Sequence, residues 1–127
     1  MLFLVTMKRI LIFDDDADIL DILKYLLEDN GWVVHTRSDC NDILNAVESC
    51  EPDIILMDNW IPDTGGIVAT QTLKSNEQYK NIPVIYFSAN NNVKLLAEEA
   101  GADAWLAKPF DLNDLETMLN SYKQNSL

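Results

Sequence analysis

Acidic, hydroxyl and basic side chains stand directly after four of the apolar runs in this 127-residue chain. Asp14 and Asp15 follow the first run, Asp58 the third, Ser88 the fourth and Lys108 the fifth. Three carboxylates that converge on one small volume raise one another's pKa unless a cation neutralises them. A hard divalent ion suits such a cluster, and Mg²⁺ suits it better than Ca²⁺ because so few protein ligands are on offer.

The same groups indicate phosphoryl transfer to a carboxylate. A metal ion, the ammonium of Lys108 and the hydroxyl of Ser88 would together stabilise the equatorial oxygens of a phosphoryl group attacked by Asp58. Taken singly, an Asp after a strand is more often a helix cap or a turn residue. The joint occurrence of these groups after four strands favours a phosphoryl-acceptor site, with Asp58 expected at the exposed end of its strand.

The elements that must position these side chains alternate between strand and helix. Short apolar runs predict five strands, near residues 8–13, 32–36, 53–57, 82–87 and 104–107. Apolar residues at helical spacing predict helices between the strands, including helices over 66–77 and 92–100. Asp16 and Asn30-Gly31 mark the two ends of the first helix. The alternation predicts an α/β fold with a parallel sheet covered on both faces. In such a sheet the functional crevice lies at the carboxyl ends of the strands.

Composition and charge limit the classes of function. The chain is 48% hydrophobic and 24% charged, which is typical of one globular domain, assigned here to residues 8–127 after a non-functional extension over 1–7. Its net charge of −12 repels nucleic-acid phosphates and anionic lipids, so neither is an expected partner. Cys40 and Cys50 have neither disulfide-framework nor metal-ligand spacing, which favours reduced thiols. Without a signal peptide, the expected location is the cytoplasm.

From Lys8 to about Lys123 the chain resembles the receiver domains of response regulators in two-component signal transduction, including the single-domain chemotaxis receiver. The resemblance rests on Phe13-Asp14-Asp15 with the apolar run before it, on Asp58 with Pro62 and Gly66, on Phe87-Ser88-Ala89, and on residues 101–110 around Lys108-Pro109. It implies a flavodoxin-like three-layer sandwich of five parallel strands, in the order 2-1-3-4-5, with five helices.

The resemblance also implies the acceptor and the metal ligands. Asp58 would be the phosphoacceptor, and Asp14 and Asp15 would be the acid pair, with Asp15 the more direct ligand of Mg²⁺. The backbone carbonyl of Trp60 would be a further ligand. The Trp60 indole is unusually bulky for a position that overhangs the acceptor, so the resemblance leaves the lifetime of the acyl phosphate open.

A second set of implied roles concerns switching. Ser88 would be the switch hydroxyl and Lys108 the lysine that pairs with the phosphate, followed by a cis peptide bond to Pro109. Trp105 stands where the family has its switch aromatic, more usually Tyr or Phe. Asn90 is expected to tune hydrolysis of the phosphoryl group.

The implied partners are proteins. A sensor histidine kinase or a histidine phosphotransfer protein would donate the phosphoryl group. A downstream target or a second copy of the chain would bind the surface of the fourth helix, fifth strand and fifth helix, where Leu95 and Trp105 are expected to be exposed. The chain would be a signalling receiver that catalyses only its own phosphorylation and slow dephosphorylation, and not an enzyme.

Three alternatives stay open at this point. A haloacid-dehalogenase-like phosphatase would have D-x-D-x-[ST] after the first strand; Asp14 and Asp16 fit that spacing, but Asp18 stands where the hydroxyl belongs. A flavin-binding electron carrier would need a phosphate loop rich in Ser, Thr and Gly in place of carboxylates. A pseudo-receiver would keep the fold as a binding module without phosphorylation. His35 is expected to be an ordinary strand residue and not a phosphorelay histidine.

Overall fold

The structure is a computed structural model that describes residues 8–61 and 64–123. The predicted N-terminal extension over 1–7 and Pro62 lie outside the described residues. Strands and helices alternate as predicted: β1 (Arg9–Phe13), α1 (Ala17–Asp29), β2 (Val33–Arg37), α2 (Ile43–Cys50), β3 (Ile54–Asp58), α3 (Gly66–Lys74), β4 (Val84–Ser88), α4 (Val93–Ala100), β5 (Ala104–Ala107) and α5 (Leu112–Lys123).

The strands form one parallel sheet in the order β2-β1-β3-β4-β5. This is the predicted order, and it is the order of flavodoxin-like folds. The chain crosses from one side of β1 to the other between β2 and β3, so the switch point lies at the carboxyl ends of β1 and β3. In register, Phe13 lies beside Met57, Asp58 beside Phe87, and Ser88 beside Ala107.

Both faces of the sheet are covered, which explains why its central strands are almost wholly apolar. Leu11, Met57 and Tyr86 belong to the core that packs under α2, α3 and α4. Ile12 and Phe87 belong to the opposite core, under α1 and α5. Successive strand residues alternate between the two faces, so a central strand buried on both sides must be apolar at nearly every position.

The ends of α1 are those that the sequence predicts. The Asp16 carboxylate accepts hydrogen bonds from the N–H groups of Asp18 at 3.0 Å and Ile19 at 3.4 Å, which satisfies two donors that the first turn cannot pair internally. The helix ends at Asp29, Asn30 is its carboxyl-terminal cap, and Gly31 follows with a φ of +91°. That left-handed conformation favours glycine.

The predicted extent of the third helix, residues 66–77, is wrong at its carboxyl end, because α3 ends at Lys74. The side-chain oxygen of Asn76 accepts hydrogen bonds from the N–H groups of Gln78 and Tyr79. These bonds offer the backbone an alternative to the helical pattern. The Lys74 ammonium binds the carbonyls of Lys80 and Ile82, which secures the turn. None of the described helices is long and apolar enough to cross a membrane.

Candidate functional site

Three carboxylates meet at the carboxyl edge of the sheet, as predicted. Asp14 directly follows β1, Asp58 is the last residue of β3, and Asp15 lies beside them at the surface. One oxygen from each lies within 4.8 Å of the others. The expectation that Asp58 stands exposed at the end of its strand is wrong, because only 4% of its surface is accessible and Asp14 is only 1% exposed. Backbone N–H groups of the loops that follow the strands bind both carboxylates, Asp16 at Asp14 Oδ1 and Trp60 at Asp58 Oδ2.

Lys108 binds the two buried carboxylates at once. Its ammonium donates to Asp14 Oδ2 and Asp58 Oδ1, both at 2.9 Å, and lies 4.4 Å from the centre of the Phe87 ring. The backbone N–H of Lys108 donates to the Ser88 carbonyl at 2.9 Å. These contacts fix the lysine at both its ends. The peptide bond from Lys108 to Pro109 is cis, as the resemblance implies.

The burial and the charges of the site act on its pKa values in opposite directions. Burial raises the pKa of the Asp58 carboxyl, the hydrogen bond from Lys108 lowers it, and the Asp14 and Asp15 carboxylates raise it further; the net direction is upward. Burial alone would lower the pKa of Lys108, but its hydrogen bonds to Asp14 and Asp58 outweigh burial and raise it. The ammonium therefore stays charged at neutral pH.

The donor set fits a hard divalent cation. Three carboxylates face one ammonium, which leaves the cluster negatively charged, and every ligand atom on offer is oxygen. Oxygen donors of this kind suit Mg²⁺ and Ca²⁺ and not the softer transition metals. The backbone N–H of Trp60 donates to Asp58 Oδ2 at 3.2 Å, so the chain turns back over the acceptor. The carbonyl of Trp60 as a metal ligand stays a prediction.

Ser88 ends β4 beside this cluster and is buried, with 2% of its surface exposed. Its hydroxyl oxygen accepts a hydrogen bond from the Asn90 N–H at 3.0 Å. The hydroxyl proton is not used in that bond, so Ser88 retains a donor for an oxygen placed next to it. The Asn90 side chain accepts from the Asn92 N–H at 2.8 Å, which holds the loop that follows Ser88.

Three residues of the resemblance have physical roles that the sequence alone did not reveal. A Cβ atom on Gly66 would lie 2.2 Å from the Asp58 carbonyl oxygen, so no larger residue fits at the start of α3. The Lys108 ammonium lies over the Phe87 ring. The Phe110 ring packs edge-on against the Phe87 ring, with ring centres 6.0 Å apart. The sequence marks these residues only by their place in the motifs of the resemblance. Their contacts could not be predicted, because they form only in the folded chain.

The remaining candidate residues are at the surface. Trp60 is 75% exposed, Trp105 42% and Leu95 62%. The predicted exposure of Leu95 and Trp105 is therefore confirmed. Trp105 pairs in register with the buried Tyr86, and its role as a switch stays a prediction. His35 is exposed on β2 opposite Leu11, as expected of an ordinary strand residue.

Comparison with known proteins agrees with this geometry. The model of the response regulator receiver domain family matches residues 10–120. Over 107 residues the chain is 36% identical to the CAI-1 autoinducer sensor kinase/phosphatase CqsS of Vibrio cholerae, covering 82% of this chain and 16% of that protein. Over 121 residues it is 31% identical to the alkaline phosphatase synthesis transcriptional regulatory protein PhoP of Bacillus subtilis, covering 94% of this chain and 50% of that protein. The chain thus spans half or less of these two relatives.

Solved structures show the same architecture. The chemotaxis protein CheY4 of Vibrio cholerae superposes with a TM-score of 0.82 at 26% identity, over 92% of this chain and 99% of that one. A second solved structure is the receiver domain of the sensor histidine kinase PA1611 from Pseudomonas aeruginosa, with a magnesium ion coordinated in its active site cleft. It superposes with a TM-score of 0.83 at 26% identity, over 92% of this chain and 98% of that one.

Proposed function

The chain belongs to the response regulator receiver domain family, whose members are signalling modules of two-component systems, and we propose that Asp58 accepts a phosphoryl group. The donor is a phosphohistidine on a sensor histidine kinase or a histidine phosphotransfer protein. The observation that supports the proposal best is the set of groups around the Asp58 carboxylate. One of its oxygens binds Lys108, the other accepts from the Trp60 N–H, and the carboxylates of Asp14 and Asp15 lie beside it.

In the proposed reaction an Asp58 oxygen attacks the phosphorus, an O–P bond forms, and the P–N bond to the donor histidine breaks. The Lys108 ammonium is already at Asp58 Oδ1 and can pair with a phosphoryl oxygen as charge develops there. The hydroxyl proton of Ser88, which is not used in the bond with the Asn90 N–H, provides a second donor for those oxygens. Because Lys108 is already held at Asp58 before the donor arrives, little reorganisation of the lysine accompanies the transfer.

Asp14, Asp15 and Asp58 are the proposed protein ligands of Mg²⁺, joined by the backbone carbonyl of Trp60. When bound, the ion would neutralise the carboxylates and supply positive charge to the phosphoryl oxygens. The excess of carboxylates over ammonium groups supports this assignment, as does the likeness to the magnesium-bound receiver domain of PA1611. Lys108 balances part of the charge on the carboxylates when no ion is bound.

The donor protein is proposed to dock on an apolar groove next to Asp58. The groove has a volume of about 320 Å³, and Lys108 forms part of its wall together with Ile19, Ile22 and Leu23 of α1 and with Ala89, Pro109 and Phe110. The Lys108 ammonium also binds Asp58 at 2.9 Å, so a protein seated in this groove would lie next to the acceptor. Ile22 is 58% exposed there, and covering such a side chain contributes to association.

The output surface is proposed to be formed by α4, β5 and α5, with a downstream protein or a second copy of the chain as the partner. Leu95 and Trp105 are exposed large apolar residues of this surface, and large apolar side chains exposed on one surface favour interaction sites. A phosphoryl group that draws the Ser88 hydroxyl toward it would open space into which Trp105 turns. Trp60 and Asn90 are proposed to tune the lifetime of the phosphorylated state.

Phosphorylation by acetyl phosphate with Mg²⁺ tests the central proposal, with the mass of the intact protein as the measurement. The wild type should gain one phosphoryl group, Asp58→Asn should gain none, and Asp21→Asn, which changes an exposed carboxylate of α1 in the same way, should behave as the wild type. A wild type that gains nothing, while metal binding and fold are intact, would instead support a pseudo-receiver.

The docking groove has a separate test. Ile22→Asp should slow transfer from a phosphorylated histidine phosphotransfer protein that serves the wild type, and leave the rate with acetyl phosphate unchanged. Tyr25→Asp is the matched control, because Tyr25 is 74% exposed on the same helix and is not part of the groove lining. Equal protein-to-protein transfer rates for Ile22→Asp and Tyr25→Asp would contradict docking at this groove.

A further inference from the structure

A buried tyrosine reaches the residue next to the proposed acceptor. Tyr86 of β4 is fully buried, and its hydroxyl donates a hydrogen bond to the side-chain oxygen of Asn59. Asn59 immediately follows Asp58 in the chain. Burial raises the pKa of Tyr86, and the charge of Asp58 raises it further, so the hydroxyl keeps its proton and acts as the donor.

Asn59 is bound through three of its polar groups. Its N–H donates to the Phe87 carbonyl at 3.1 Å, its carbonyl accepts from the Gly66 N–H at 3.2 Å, and its side-chain oxygen accepts from Tyr86. The first two bonds attach its backbone to β4 and to the start of α3. The second bond also holds the carbonyl of the peptide unit that leads into Trp60, and the third holds the side chain on the same Cα atom.

That peptide unit contacts the acceptor directly. The Trp60 N–H lies 3.2 Å from Asp58 Oδ2 and donates to it, while Lys108 holds the other oxygen of the same carboxylate. Small rotations of the Asn59–Trp60 peptide therefore turn the carboxylate about its own axis. Misalignment of a reacting group by a fraction of an ångström is enough to lower a reaction rate.

We propose that Tyr86 and Asn59 form a positioning pair, which orients the Asp58 carboxylate through the Trp60 N–H and so sets the rate of phosphoryl acceptance. This role rests on the proposed function of Asp58 as the acceptor. Neither residue touches the phosphoryl group itself, so both act through the backbone of the loop between β3 and α3.

Tyr86→Phe removes only the hydroxyl. At saturating Mg²⁺ and acetyl phosphate, this variant should be phosphorylated about 3- to 10-fold more slowly than the wild type, the effect expected from the loss of one hydrogen bond. Asn59→Ala should slow the reaction by a similar factor, and the double variant should be no slower than either single one. Tyr25→Phe makes the same chemical change at an exposed site and should have the wild-type rate.

A second measurement does not depend on phosphorylation. The backbone amide resonance of Trp60 should shift in Tyr86→Phe, which changes a residue remote from Trp60 in the sequence, and should not move in Tyr25→Phe. A merely structural role would lower the free energy of unfolding without moving this resonance or the rate at saturating reactants.

The outcomes separate this pair from the acceptor assignment. If the wild type is phosphorylated on Asp58 and Tyr86→Phe matches it in rate and in the Trp60 resonance, the positioning role is overturned. Rate losses that multiply in the double variant would also overturn it, because the two residues would then act independently. A wild type that is not phosphorylated would refute the proposed function instead, and would overturn the rate-setting role with it even if the Trp60 resonance moved.

Discussion

Replacing Lys108 with methionine removes the ammonium that binds the two buried carboxylates and keeps most of the side-chain volume. Asp58 and Asp14, which are 4% and 1% exposed, then face each other without the cation that now lies 2.9 Å from each. Desolvated carboxylates without a partner are costly. Lys108→Met should therefore destabilise the metal-free protein far more than the loss of an exposed ion pair would.

The size of the effect follows from the burial of the partners. Breaking a buried ion pair by removing one partner costs about 3–5 kcal/mol. The Lys108 side chain is itself 17% exposed, so water can reach part of the site. We therefore expect a loss of unfolding free energy at the lower end of this range, about 3 kcal/mol. For a domain of this size, that corresponds to about 10 °C in the thermal midpoint. Asp58→Asn leaves Asp14 with Lys108 and removes a carboxylate whose pKa burial and its acidic neighbours raise, so it should cost less than Lys108→Met.

Urea unfolding in EDTA, followed by far-UV circular dichroism, measures these losses. The loss of unfolding free energy caused by Lys108→Met should be compared in the wild type and in Asp58→Asn, where one of the two carboxylates is already neutral. We expect the cost to fall by at least about 1 kcal/mol in the second background. Added Mg²⁺ should stabilise Lys108→Met more than the wild type, because the lysine no longer competes for the carboxylates.

Two results would refute this account of the site. A loss below about 1 kcal/mol for Lys108→Met in EDTA would mean that the carboxylates do not depend on the lysine for neutralisation. Equal losses in the two backgrounds would mean that Lys108 and Asp58 are not energetically coupled, whatever their distance.

Other variants test single features of the structure. Thr70 is fully buried and its hydroxyl has no hydrogen-bond partner among the described residues, so Thr70→Val should raise the free energy of unfolding by about 1 kcal/mol in urea titrations; a loss would show that the hydroxyl is satisfied. Glu51 has a φ of +48°, so Glu51→Gly should stabilise by about 0.5 kcal/mol, with a lower urea midpoint as the contrary result. Burial raises the pKa of Cys40 to about 12, so at pH 8 a thiol reagent should modify the half-buried Cys50 well before Cys40; equal rates in the folded protein would contradict the burial. Trp60→Ala should shorten the half-life of the acyl phosphate several-fold, a change of about 1 kcal/mol, unless its exposed indole does not shield the site, in which case the half-lives will be equal.

The fold could be predicted because its signals are local. Continuous apolar runs mark strands buried on both faces, and Asp16 and Asn30 carry the cap chemistry that delimits α1. The end of α3 could not be predicted in the same way. It depends on Asn76, whose side chain competes for backbone donors, and on Lys74, whose partners lie in residues that come close only in the folded chain.

The candidate site was predictable in its residue types but not in its contacts. Parallel strands end at one edge, so the convergence of Asp14 and Asp58 follows from the order of the strands. The burial of Asp58 does not follow, because it depends on how the loops pack over it. The bond between Asn59 and Tyr86 joins residues 27 positions apart, and no motif marks either of them. It becomes visible only once the register of β3 against β4 is known.

The end of β4 connects the two loops that flank the site. Tyr86 and Phe87 bind Asn59 on the β3 side, while the Phe87 ring and the Ser88 carbonyl bind Lys108 on the β5 side. A phosphoryl group on Asp58 that attracts both Lys108 and the Ser88 hydroxyl would therefore pull on both loops through one strand. Because β4 is fully buried, it cannot yield by bending into solvent. The displacement would instead appear at β5, the edge strand beside β4, whose residues are exposed or only partly buried.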